Sequence, residues 1–540
     1  MPYYGVQNTP CEWSYTSPPR YREPEIDVTL DVEITDPEGR TQRVPAFWAG
    51  NNTWRVRYAP HAPGAYRLRS VCSDAENPAL HGVEGALEAT AYEGTNPLLR
   101  HGPLRMAENR RHLEHRDGTP FLWLADTWWM GLCRRLPWPE GFRELTADRV
   151  AKGFNVVQIV AGLYPDMPAL DARGANEAGF PWDRAFKHIN PAYFDMADLR
   201  IAHLVQSGMV PCIVGSWGYY LTQLGPDVLR RHWRNLIARW GAYPVVWCAA
   251  GEALMPYYLD RPEGDDLQRL QEDLRAQWSA LVRDIRAMDP YGHPITIHPT
   301  RYGREQLDDP ALLDLEMLQT GHSGYSTLPT TVDMVEESRF REPRLPVLVG
   351  EANYEGIMGG SGADVQRFLV WSTLLSGAAG YTYGANGIWQ VNTAEVPYGP
   401  SPHGASWGHT PWDVAARLPG SAQVGLARRL LGRHPWWRFR PHPEWVEPHH
   451  APGLRMAPYA AGIPGEVRVV YLPASHAFAA LHGNVFLREM EPEDVYRAIL
   501  FDPITGEAIE CGAIDGNEAG GARFPRPPVI QDWVLVLERR

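Results

Sequence analysis

The sequence predicts a multidomain chain, a central (β/α)8 TIM barrel flanked by N-terminal and C-terminal β-sandwich domains, and three observations carry that prediction. Between residues 96 and 435, eight short apolar runs alternate with longer segments of helical periodicity. Several of these runs are unbroken stretches of Val, Ile and Leu, as strands covered on both faces must be. On either side of this region the pattern changes to alternation of apolar and polar residues, the mark of strands with one buried face.

Residues 1–95 form the first sandwich. Ile26 to Ile34 and Trp54 to Tyr58 alternate with period two, and Asp36-Pro37-Glu38-Gly39 and Ala62-Pro63-Gly64 supply the turns. Trp48 and Trp54 exceed what so small a core needs, which predicts an apolar contact with the barrel and a loop lent to its rim. In residues 96–435 the barrel strands are expected at 121–125, 155–161, 210–216, 245–249, 294–298, 313–319, 346–350 and 378–383. The segment 265–288 shows the helical spacing between them, with Leu267, Leu270, Leu274, Trp278, Leu281, Val282 and Ile285 three and four residues apart. Residues 436–540 return to strand grammar at 466–471, 496–501 and 533–537, with Asp502-Pro503-Ile504-Thr505-Gly506 as a hairpin turn.

Composition narrows the function. The 540 residues carry 64 acidic and 51 basic side chains, a net charge of −13, without a basic run, which argues against a nucleic-acid partner. No stretch approaches the ~20 apolar residues of a membrane span, so no membrane partner is expected. The opening Met-Pro-Tyr-Tyr-Gly has neither the charged nor the apolar part of a signal peptide, so a cytoplasmic location is expected. Six cysteines without a CxxC pair fit reduced thiols better than disulfides or zinc, and no metal or cofactor is expected. Homo-oligomer formation is left open.

Barrel enzymes place their reactive groups where the strands end. The expected strands close on Asp126-Thr127-Trp128-Trp129, Gln158, Trp217, Gly251-Glu252, His298, Gln319 with His322, Glu351 with Tyr354 and Glu355, and Tyr383 with Asn386 and Trp389. Strands four and seven lie on opposite sides of a barrel mouth, so Glu252 and Glu351 should face one another. Cleaving a glycosidic bond needs a proton donor on the leaving oxygen and a carboxylate on the other face of the sugar. Each residue also has a plainer reading. Trp128 or Trp129 can be core, Asp126 can cap the following helix, His298 and His322 can be wall histidines, and Asn386-Gly387 can be a turn.

The quoted segments resemble the apiosidase-like glycoside hydrolases of clan A. The resemblance runs through Phe121 to Trp129, Lys152 to Gln158, Ile189 to Phe194 with Ala197-Asp198, the run to Glu252, Gln319 to His322, Gly350 to Gly356 and Gly380 to Trp389. It implies Glu351 as nucleophile and Glu252 as acid/base, no cofactor, and a carbohydrate substrate. Members of that family often carry aspartate after a Gly-Gly pair, and other clan members often have Asn before the Glu, where this chain has Ala249-Ala250-Gly251-Glu252.

The resulting expectation is a retaining, exo-acting glycosidase for a small oligosaccharide or glycoside, pyranoside or furanoside, with its carboxyl groups about 5 to 5.5 Å apart. Asp126, Trp128, Gln158, Trp217, His298, His322, Tyr354, Tyr383, Asn386 and Trp389 are the expected substrate contacts. A carbohydrate-binding protein on a disabled barrel, a transglycosylase and a glycan lyase are the competing readings.

Overall fold

The computed structural model describes residues 2–516 and 521–540. Its centre is an eight-stranded parallel sheet rolled into a barrel, with strands Trp123–Thr127, Val156–Val160, Val210–Val214, Val246–Cys248, Ile295–Thr296, Glu316–Gln319, Val347–Glu351 and Gly380–Tyr383. All eight fall on or beside the apolar runs of the sequence, and every one except Gln319 is fully buried along its length. The ladder runs from the fifth strand back through the fourth, third, second and first, then through the eighth and seventh to the sixth. Between the fifth and sixth strands there is a seam. It is stitched by the Asp314 amide to the Ile295 carbonyl (2.8 Å), the Thr296 hydroxyl to the Leu315 carbonyl (3.0 Å) and the Gln319 amide to the Arg301 carbonyl (3.0 Å).

The outer helices bury one stripe each. In helix Gly264–Met288 the buried residues are Leu274, Trp278, Ser279, Leu281, Val282 and Ile285, whereas Leu267 and Leu270 are half-exposed. At 1.5 Å per residue this helix is about 37 Å long, and its first two turns overshoot the barrel wall.

The N-terminal domain pairs a five-stranded sheet with a three-stranded sheet. Its strand grammar starts earlier than the sequence shows. Tyr3–Val6 pairs in parallel with Glu84–Thr90, a short, mostly exposed edge strand with no alternation to betray it. The expected apolar docking exists but does not use the two tryptophans: Tyr291 of the barrel packs on the domain's core, its ring centre 6.1 Å from that of Tyr58. Trp54 belongs to the domain's own core, and Trp48 is only half-buried. The junction adds charge: Arg57 Nη2 and Arg239 Nη1 converge on Asp198 Oδ2 at 2.6 and 2.8 Å, and Trp240 Nε1 donates to Asp198 Oδ1 at 2.7 Å. Phe47 lies between the two guanidiniums, 5.0 and 4.2 Å from its ring centre. The segment Ile189 to Asp198 is therefore a docking element.

The C-terminal region is a six-stranded antiparallel sheet, with Val495–Phe501 and Ala508–Asp515 forming the expected hairpin. Its second layer is slight, a two-stranded ribbon of Val446–Glu447 and Phe486–Leu487 with helix Ala474–Leu481. The other face of the sheet packs on barrel helix Ala363–Leu375, where Phe368 and Trp371 meet Tyr459 and Tyr471. Among the described residues, no helix is long and apolar enough to cross a membrane.

Candidate active site

Glu351 is the last residue of the seventh strand, and Gln319 is the last of the sixth. The register between these strands slips at Leu318/Gln319 and sets the two side by side. Glu252 follows the fourth strand in a left-handed backbone conformation (φ 46°), which costs a non-glycine residue about 1 kcal/mol or more. The residue before it has no freedom to carry a side chain, because a Cβ on Gly251 would lie 2.2 Å from the Trp217 ring. That clash explains why glycine precedes Glu252.

The Gln319 amide nitrogen lies 3.0 Å from Glu252 Oε1 and 3.2 Å from Glu351 Oε1. An amide presents its two N–H groups about 120° apart, so the oxygens they reach are about 5 Å from one another. The remaining partners differ. Glu351 meets His322 Nε2 at 2.8 Å and His298 Nε2 at 3.0 Å, one on each oxygen. Burial would raise its pKa, but the hydrogen bonds and charges of the two histidines outweigh burial and hold it far below the ordinary carboxylate range. Glu252 is partly open to the cavity, and its second oxygen accepts from Trp217 Nε1 at 3.1 Å. Burial and the charge of Glu351 raise its pKa against the opposing pull of Gln319, His298 and Trp217. One carboxylate is held ionised and its neighbour is pushed toward the protonated form.

These groups open into a cavity of about 290 Å3 walled by Trp129, Trp217, Tyr354, Trp389 and Trp407. Tyr354 lies against His322, with ring centres 4.5 Å apart. Trp389 Nε1, His322 Nδ1 and Gln319 Oε1 are buried without a partner among the described residues, leaving donors and acceptors for hydroxyl groups. Among the described residues, no group of three or more His, Cys, Asp or Glu is placed to hold a metal.

Of the sequence candidates, Glu252, Glu351, Trp217, His322, Tyr354 and Trp389 line the cavity, and His298 stands directly behind Glu351. Five do not line it. Asp126 is fully buried and bound to Arg149 Nε at 2.6 Å and to Trp128 Nε1 at 2.8 Å, which makes it an internal counter-ion. Trp128 is core, edge-on to Phe142. Gln158 donates to the Gly350 carbonyl at 2.9 Å and so ties the second strand to the seventh across the barrel interior. The Tyr383 hydroxyl donates to Glu355 at 2.5 Å, and Glu355 also takes the Gly420 amide at 3.0 Å, on the helix side of the wall. Asn386 is packed behind the cavity against Gly408. Each of these side chains sits at a strand end, but its partners lie below or outside the mouth.

The sequence reading missed Trp129 and Gln319 as site residues, and also Asp166, Met255, Tyr258 and Trp407. Trp129 and Gln319 were visible at strand ends. The other four sit on loops whose path no local pattern encodes. No residue of the N-terminal domain lines the cavity, so the expected rim loop from that domain is absent among the described residues.

The model of the "Apiosidase-like, catalytic domain" family matches residues 107–438, and that of a domain of unknown function, DUF5060, matches residues 7–73. No curated protein matches the chain. Among solved structures, a glycoside hydrolase is 22% identical over 83% of this chain and 98% of its own, with a TM-score of 0.66. A family 5 glycoside hydrolase from Bacteroides vulgatus is 21% identical over 82% and 95%, also with a TM-score of 0.66. A second Bacteroides vulgatus chain assigned to the glycoside hydrolases is 17% identical over the full length of both, with a TM-score of 0.70. At these identities the structural likeness shows a shared fold, and the family match over more than half of the residues adds the kinship. The chain belongs to the apiosidase-like family of glycoside hydrolases.

Proposed function

We propose that the protein is a retaining, exo-acting glycosidase in which Glu351 attacks the anomeric carbon and Glu252 protonates the leaving oxygen, then deprotonates the water that releases the sugar. The observation that carries this reading is the Gln319 amide shared by two carboxylates of opposite pKa displacement. A nucleophile must stay ionised, and its partner must hold a proton at working pH. The separation of about 5 Å leaves too little room for a water between sugar and base, which favours a covalent intermediate over direct displacement.

Exo action is supported by the cavity, which at about 290 Å3 is at the small end for ligand pockets and suits one terminal sugar better than an extended chain. The aromatic walls offer stacking faces for a pyranose or furanose ring. All six cysteines are free, which suits a reducing compartment and the cytoplasm. The reading is tested by a panel of aryl pyranosides and furanosides of both anomers. Hydrolysis of one of them, with loss of at least a hundredfold in kcat/KM in Glu351→Gln, is expected. Binding without turnover across the panel would replace the enzyme with a lectin-like barrel, and sugar transfer outpacing hydrolysis in excess acceptor would make it a transglycosylase.

A further inference from the structure

The opposite end of the barrel holds a second concavity, where the seventh and eighth strands begin and the chain crosses from barrel to C-terminal sheet. Five arginines surround it: Arg110, Arg111, Arg339, Arg344 and Arg440. In a chain with 13 more acidic than basic side chains, an arginine cluster would ordinarily be matched by carboxylates. Here none of the five has an ion-pair partner among the described residues. Glu336, one helical turn before Arg339, is already held by Arg455 at 2.8 Å and His450 at 3.0 Å. Arg339 and Arg440 spend one nitrogen each on backbone carbonyls, at Ser376 (3.0 Å) and at Phe439 (2.9 Å); Arg339 feels the charge of Glu336 only at a distance.

Two further atoms are left unsatisfied. His112 is only 5% exposed and lines the concavity, and among the described residues neither its Nδ1 nor the buried Arg110 Nε has a partner. An unpaired buried donor costs about 1–3 kcal/mol unless something accepts from it. The space itself is about 70 Å3, several times what one water needs and enough for a carboxylate or phosphate group, but too small for a sugar ring. The ring has a seat beside it. Trp437, 36% exposed, borders both this concavity and the adjoining shallow hollow in front of His112.

We propose that this concavity binds an anionic sugar, a uronate or a sugar phosphate, with its charged group among the guanidiniums and its ring on Trp437. Guanidiniums present paired donors to carboxylate and phosphate oxygens, and the indole face takes the ring's C–H groups. The site rests on the reading of the protein as carbohydrate-active, yet it lies at the far end of the barrel from Glu351 and would tether or sense glycan without cutting it.

The test is calorimetric binding of galacturonate, glucose 6-phosphate, inorganic phosphate and glucose to the full chain, to Arg111→Ala/Arg344→Ala and to Trp437→Ala. Among the described residues the side chains of Arg344 and Arg111 make no hydrogen bond, and hydrolysis of a neutral aryl glycoside should be unchanged in their variant, which confirms folding independently of the site tested. The expected result is binding of at least one anionic sugar that weakens tenfold or more in the arginine variant, falls with ionic strength and weakens in Trp437→Ala, with glucose not binding. Retained affinity in the arginine variant, glucose binding as tightly as the anions, or inorganic phosphate binding as tightly as glucose 6-phosphate would overturn it. Because binding is read at this site and turnover at the other, failure here leaves the assignment of Glu351 untouched, and the reverse also holds.

Discussion

Gln319 and Glu351 end adjacent strands, and a slip in their register places one amide nitrogen 3.2 Å from the nucleophile candidate and 3.0 Å from Glu252. That amide stabilises the charged form of Glu252 and so holds down a pKa that burial and Glu351 raise. Gln319→Ala removes this restraint. The alkaline limb of the kcat/KM profile should move to higher pH, with kcat/KM reduced roughly tenfold or more as the carboxylates lose their spacing. An unchanged alkaline limb would detach Gln319 from the acid.

Glu252→Gln and Glu351→Gln should each lower kcat/KM by about a hundredfold or more, and they should differ in leaving-group dependence. Dinitrophenyl glycosides need little protonation, so Glu252→Gln should be spared on them while Glu351→Gln is not. Equal losses on activated and unactivated substrates would reverse or dissolve the assignment.

Proton NMR of the first-formed product, read before mutarotation, should show retention of anomeric configuration. An inverted product would refute the covalent intermediate.

The two carboxylates should also act oppositely on stability. A carboxyl with a raised folded pKa costs stability as pH climbs from its unfolded value through its folded one, because the unfolded chain ionises more easily. Glu252→Gln should therefore raise Tm at neutral pH and lose the advantage below pH ~4, where the carboxyl is protonated in both states. Glu351, with its pKa depressed, contributes stability above its unfolded pKa that fades as pH falls toward the folded one. Glu351→Gln should lower Tm at neutral pH. Calorimetric scans from pH 3 to 8 test both signs.

At the domain junction, Asp198→Asn removes the buried carboxylate that Arg57 and Arg239 share and leaves them only the more exposed Glu12 (2.7 Å) and Asp195 (2.9 Å). Breaking a buried pair outright costs about 3–5 kcal/mol, and the remaining carboxylates keep the cost below that. The variant should melt earlier, and removal of residues 1–95 should give insoluble or unstable protein. A stable, fully active truncation would show that the junction is dispensable.

The barrel was legible because strands buried on both faces leave runs such as Val156–Val160 that little else produces, and Glu252 and Glu351 were legible because strand number fixes position around a barrel mouth. Direction at a strand end was not. Trp128 and Trp129 are adjacent and alike in sequence, yet one points to Asp126 and the core while the other walls the cavity, because the chain turns just past the strand's end at Thr127. Asp126 and Tyr383 look like site residues until their partners, Arg149 and Glu355, arrive from helix and loop. Loop residues such as Asp166 and Trp407 meet only in three dimensions, joined at 2.8 Å across 241 positions of chain.

The seam between the fifth and sixth barrel strands falls between the two carboxylates, with Glu252 on one lip and Glu351 on the other. At the mouth it is crossed by the Gln319 side-chain amide on Glu252 and by the His298 imidazole beside Glu351, next to the backbone bond from Gln319 to Arg301, so side-chain contacts share in setting the gap between acid and nucleophile. Stereochemical outcome in such a barrel is then an adjustable dimension: lengthening or shortening a single cross-seam contact would widen or narrow the jaws without rebuilding either half of the wall.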